Sequence, residues 1–112
     1  MQVPLEIAFR HCQPSESIKA EIESEARRLE KFFDRITSCR ATVIAPNRRH
    51  GAYKIDIYIA MPGHKDIVVQ TRDDVEEHQY VSVAIRGAFD AAQRQIEDAV
   101  REMRGDVRSQ ED

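Results

Sequence analysis

The hydrophobic period of this chain changes at Phe32-Phe33-Asp34-Arg35-Ile36. Before it, Ile18, Ile22, Ala26, Leu29 and Phe33 recur at helical spacing; after it, Cys39, Ala41, Val43 and Ala45 alternate. The first pattern is a helix with one apolar stripe, the second a strand with one apolar face. A helix that runs straight into such a strand must lay its stripe on a sheet, so a helical bundle and an all-β sandwich are both excluded.

The rest of the chain supplies that sheet. Val3, Leu5, Ile7 and Phe9 alternate as a first strand. Pro14-Ser15 follows, with Ser15 as N-cap and Glu16 in the first turn, so a helix is predicted over residues 16–34. Beyond the second strand, Pro46 to Gly51 reads as a loop. Tyr53, Ile55, Ile57, Ile59 and Met61 form a third strand, turned by Pro62-Gly63, and Ile67, Val69 and Thr71 form a fourth. Asp74 and Glu77, in the acidic run 73–77, are spaced for a capping box. From about Tyr80, the residues Val81, Ile85, Ala88, Phe89, Ala92, Ile96, Ala99 and Met103 share one face of a long helix, which Gly105 is expected to end.

The predicted fold is therefore α+β in the order β-α-β-β-β-α, a four-stranded mixed sheet with two helices packed on one face. The first helix is long enough for a right-handed crossover between parallel strands, and the short turns make the other pairings antiparallel. The other sheet face carries Glu6, Arg40, Thr42, Lys54, Asp56, Tyr58, Gln70 and Arg72. The domain is expected to cover residues 1–105, with 106–112 as a disordered tail. Ile22, Leu29, Phe33, Ile57, Ile85, Phe89 and Ile96 are expected in its core.

Catalytic patterns are scarce. The chain has no glycine-rich phosphate loop, nucleophile elbow or Cys-x-x-Cys pair. His11 and Cys12 are strand neighbours that point to opposite faces. His50, His64 and His78 lack ligand spacing, and His78 with the acidic run 73–77 reads either as a metal site or as a solvated loop with a helix cap. No enzyme activity, cofactor or metal is expected. The two cysteines are expected as free thiols in the cytoplasm, with Cys39 buried and Cys12 accessible. Glu6 and Arg10 interrupt the N-terminal apolar stretch, so no secretory signal is expected, and no run of about 18 apolar residues is present to span a membrane.

Charge narrows the partners. The net charge of −3 argues against a generic nucleic-acid binder and against DNA as a partner. It hides a split, however: residues 1–72 hold 12 Lys/Arg and 9 Asp/Glu, a balance of +3, while residues 73–112 hold 5 and 11, a balance of −6. Any nucleic-acid contact must be local and salt-sensitive. Arg27, Arg28, Lys31 and Arg35 lie opposite the first helix's stripe, and Arg94, Arg101, Arg104 and Arg108 lie on the solvent side of the second. The bland alternative is a charged solvent face with i,i+4 pairs at Asp90–Arg94 and Glu97–Arg101. Tyr58 is the one aromatic on the open sheet face, too few for a base-stacking platform. With Ile44 and Val68 it offers a patch for weak homodimerisation.

Several strings resemble the ribosome hibernation-promoting factor and protein Y family, also called the sigma-54 modulation family. They are Arg10-His11, Leu29-Glu30-Lys31-Phe32-Phe33-Asp34-Arg35-Ile36, Pro62-Gly63 followed by Asp66-Ile67-Val68-Val69, and Ala84-Ile85 through Arg94-Gln95-Ile96. Ile36-Thr37-Ser38-Cys39-Arg40, Ala84 to Ala92 and Arg104-Gly105-Asp106-Val107 are most similar to a subgroup often fused to a cold-shock domain. Here the chain stops at Asp112, so the domain alone is expected. The resemblance implies a cytoplasmic, ribosome-associated protein that binds small-subunit ribosomal RNA near the decoding centre. It would inhibit translation and promote ribosome hibernation under stress. It makes Arg27, Arg28, Lys31, Arg35, Arg94 and Arg101 the expected RNA-binding residues. Glu25, Ala91 and Asp98 stand where some members are basic, Tyr80-Val81-Ser82 replaces the usual Asp-x-Tyr, and the segment 72–79 is longer than in the shortest members. The alternative is a protein-interaction or self-association module that keeps the fold without binding ribosomes.

Overall fold

The computed structural model describes residues 3–46, 51–71 and 80–111, the last seven of these as backbone only. Its elements are β1 (Leu5–Arg10), α1 (Glu16–Phe32), β2 (Ser38–Ile44), β3 (Lys54–Ala60), β4 (Ile67–Gln70) and α2 (Val81–Glu111). The strands lie side by side in chain order. β1 and β2 are parallel, joined by the α1 crossover, and the β2–β3 and β3–β4 pairs are antiparallel. This is the expected mixed sheet.

Register turns the alternation into a lattice. One row across the sheet reads Leu5, Cys39, Ile59, Ile67, and the next Ile7, Ala41, Ile57, Val69. A third reads Phe9, Val43, Ile55. A slip of one residue would turn the whole set to the polar side, so the register is firmly specified. α2 packs over β3 and β4, while α1 lies by β1 and against α2. Ala41, Ile55, Ile57, Ile59, Ile22, Ile85, Phe89 and Ile96 are fully buried in one core. Leu5, Ile7 and Phe9 are only half-buried, because β1 is an edge strand.

Local chemistry sets the boundaries. Ser15 Oγ accepts the Ile18 amide at 3.3 Å, the expected N-cap. α1 ends at Phe32, two residues short of the predicted end. Phe33 turns extended (φ −131°), and its N–H donates to the Leu29 carbonyl at 2.9 Å. This exit leaves Phe33 half-buried, where full burial was expected. Gly63, at φ +88°, follows Pro62 in a turn closed by His64 N–H to the Met61 carbonyl at 3.1 Å. Proline first and positive-φ glycine second is the arrangement of a type II turn. His64 then ties that turn to α2: its Nε2 lies 3.1 Å from the Glu102 carboxylate and its Nδ1 2.8 Å from the Lys65 carbonyl.

Two expectations are corrected. α2 does not stop at Gly105; helical backbone continues to Glu111, through part of the expected tail. One glycine in a helix costs about 1 kcal/mol, and with no proline after it the helix runs on through that residue. β1 ends at Arg10, so His11 and Cys12 are not strand neighbours; His11 takes φ +62° in a bend. The expected capping box at Asp74 and Glu77, most of the 46–51 loop, His50, His78, the acidic run and Arg72 lie outside the described residues. Tyr80 begins α2, its carbonyl accepting the Val83 and Ala84 amides at 3.1 Å.

Phe89→Ala should destabilise the protein by about 3–5 kcal/mol, the usual range for emptying a fully buried phenylalanine site. Urea denaturation would measure it, and a loss below about 1 kcal/mol would contradict the placement of α2. The thiols provide a second check. Cys39 is 7% exposed, and desolvation pushes its pKa up to about 11, whereas Cys12 is half-exposed. Alkylation of the native protein at neutral pH should label Cys12 first; equally fast labelling of both would contradict the burial of Cys39 under α1.

Candidate nucleic-acid interface

The six basic residues expected at the interface are not equivalent. Residues three apart on a helix share a flank. Arg27 and Glu30 use this to grip the start of β1. Arg27 Nη1 donates to Glu30 at 2.6 Å and to the Val3 carbonyl at 2.9 Å, and the Val3 amide donates to Glu30 at 2.8 Å. Both the backbone N–H and the carbonyl of Val3 are thereby satisfied. The Arg27 side chain is only 27% exposed. The structure therefore gives it to the edge strand, although its helical angle alone aimed it at solvent.

Arg28 bridges the helices. It donates to Glu25 on α1 at 2.7 Å and to Gln93 on α2 at 2.9 Å, with Asp90 at 3.9 Å. The hydrogen bond to Glu25 raises its pKa. Arg101 pairs with Asp98, not with Glu97, and Asp90 lies against Arg28 and not Arg94, so the two i,i+4 pairs predicted on α2 are replaced. The cause is local choice: Arg101 has acids at both three and four residues back, and Glu97 accepts from Gln93 at 3.5 Å instead.

That leaves Lys31, Arg35, Arg94 and Arg104 exposed and without a carboxylate partner among the described residues. Arg35 Nη1 touches only the Met103 sulfur, at 3.8 Å. Arg35 and Arg104 both line an open groove of about 460 Å³ between the α1 exit and α2. Phe32, Asp34, Glu97 and Arg101 also line it. Phe32 is 72% exposed. It is the groove residue that a search for basic positions passes over. The signal was in the Phe32-Phe33 run: consecutive helical residues stand about 100° apart, so only one of the two can join the stripe.

The open sheet face is less coherent than expected. Tyr58 sits opposite Val68 and Arg40, but Ile44 pairs with Lys54, four residues along β2 from Arg40. Glu6 and Arg40 form an ion pair at 3.3 Å in the same row as Tyr58. The three apolar side chains therefore make no continuous patch. Among the described residues there is no cluster of three or more metal-ligating side chains, and no helix is long and apolar enough to cross a membrane.

Residues 5–104 match the family model described as sigma 54 modulation protein / S30EA ribosomal protein. Among solved structures, the chain is similar to the Thermus thermophilus Protein Y N-terminal domain, with a TM-score of 0.67, 17% identity, and coverage of 88% of this chain and 98% of that one. It is also similar to a ribosomal subunit interface protein from Coxiella burnetii, with a TM-score of 0.71, 12% identity, and coverage of 88% and 99%. At these identities the likeness establishes the shared fold. No curated protein matches the chain.

The Arg27–Glu30 grip predicts a pH signature. Glu30's carboxyl is held below its ordinary value, first by the Arg27 hydrogen bond and then by the Val3 amide. A depressed acid contributes stability above its unfolded pKa and loses it as pH falls through the folded one. Glu30→Gln should therefore be less stable than wild type near pH 7 and approach it near pH 3, as followed by urea unfolding at both values. An equal gap at both pH values would mean that the carboxylate charge is irrelevant to the grip.

Proposed function

The chain belongs to the sigma 54 modulation protein / S30EA ribosomal protein family, and on that premise we propose that it binds ribosomal RNA of the small subunit near the decoding centre. The observation that carries the reading is that Lys31, Arg35, Arg94 and Arg104, on α1, its exit and α2, are exposed and have no carboxylate partner among the described residues. Such side chains neutralise phosphates, and the bulk of the rigid domain behind them excludes messenger and transfer RNA. Inhibition by occupancy needs no chemistry and no cofactor. It places the protein in the cytoplasm, with hibernation under stress as the physiological setting. The strings at 36–40, 84–92 and 104–107 support a place in the subgroup often fused to a cold-shock domain.

The ion pairs refine which residues act. Lys31, Arg35 and Arg94 of the expected set are ready to meet phosphate, with Arg104 added. Arg28 and Arg101 must first exchange Glu25 and Asp98 for RNA, and Arg27 is held by β1. Glu25 and Asp98 are thus local penalties, because each occupies an arginine.

Sedimentation of stationary-phase lysates on sucrose gradients tests the reading. The protein should co-migrate with small subunits or whole ribosomes. Lys31→Glu with Arg94→Glu should shift it to the top fractions without loss of folding, since exposed substitutions usually change stability by less than about 0.5 kcal/mol. Asp98→Lys should tighten binding and steepen its salt dependence by roughly one unit for each additional phosphate neutralised. A wild-type protein confined to the top fractions would favour a protein-interaction or self-association module instead.

A further inference from the structure

We propose that the groove between the α1 exit and α2 holds one nucleotide of single-stranded RNA, its base stacked on Phe32 and its phosphate between Arg35 and Arg104. This rests on the RNA-binding reading and deepens it. Phe32 closes α1 with 72% of its surface in water, while Phe33 turns inward to the core. A ring left in solvent beside guanidinium groups has the parts that single-strand binding uses: an aromatic face for the base and cations for the backbone. The groove's volume of about 460 Å³ lies within the range of small-ligand sites.

The mixed charge of the lining selects the ligand further. Asp34 and Glu97 line the same groove as Arg35, Arg101 and Arg104. A polyanionic peptide would meet repulsion from those two acids and would leave the ring unused. A nucleotide brings a single phosphate for the arginines, and its base carries N–H donors that a carboxylate accepts and a face that the ring can stack on. Double-stranded RNA is disfavoured, since paired bases cannot be splayed onto a side chain.

The chain contains no tryptophan, so Phe32→Trp installs a single reporter. Its emission should be quenched, with saturation, by a single-stranded adenosine decamer and by small ribosomal subunits, but not by inorganic polyphosphate. Tyr58→Trp, on the open sheet face, should not respond. Phe32→Ala should weaken decamer and subunit binding roughly ten-fold while the melting temperature holds, and Phe32→Trp should retain binding. Unchanged emission from Phe32→Trp in a saturated complex overturns the proposal. So does wild-type affinity in Phe32→Ala, or displacement of the decamer by polyglutamate at equal affinity, which would make the groove a site for acidic protein. If subunits bind without any effect at position 32, the groove falls and the ribosome reading stands. If the decamer quenches Phe32→Trp while subunits do not bind, the groove stands and the ribosome reading falls. Binding of neither overturns both.

Discussion

α2 lays Ile85, Phe89, Ala92 and Ile96 over the β3 and β4 rows, and most other features of the molecule follow from that contact. Side chains on a strand alternate, so a sheet that buries Ile55, Ile57 and Ile59 on one side must present Asp56 and Tyr58 on the other. Both helices are forced to the same side. With their stripes turned to the sheet, their polar flanks adjoin, and that is how cations from separate segments come to share one surface. That shared basic surface is thus a by-product of where the apolar area had to go.

Ion pairing then divides the surface. A surface pair is worth little to stability, with a median of about 0–1 kcal/mol. Its larger effect here is on availability. Glu30, Glu25 and Asp98 each stand three residues from an arginine and occupy it. Lys31, Arg35, Arg94 and Arg104 make no such pair among the described residues, although Lys31 and Arg94 also have an acid three residues on, Asp34 and Glu97. A count of basic residues on helical faces overlooks this distinction, because a charged side chain can spend itself on its own helix.

Much of the fold was legible in the sequence. Alternation at Cys39, Ala41 and Val43 and at Ile55, Ile57 and Ile59 set strands and faces, and Ser15 marked the start of α1. What was not legible depended on three-dimensional neighbours. Arg27 lies on the polar side of α1 by angle, yet the start of β1 offers it the Val3 carbonyl, and Glu30 of its own helix holds both. Ile44, Val68 and Tyr58 face the same side but are split by register, which no single strand displays. Gly105 carries a stop signal, yet the helix continues through it to Glu111. Phe32 was visible as half of an aromatic pair; its groove was not, since α2 supplies the other bank.

The parallel β1–β2 pair and the late position of α2 also bear on how the chain is made. β1 can pair only after the crossover helix and β2 have been synthesised, and the two strands that follow still wait for α2 to cover their apolar face. That face is covered only when Phe89, Ile96 and Ala99 arrive. The isoleucine face of β3 and β4 therefore stays uncovered by α2 until that last element is made. The order of elements acts as a timer: the adjoining cations of α1 and α2 come together only after translation of nearly the whole domain.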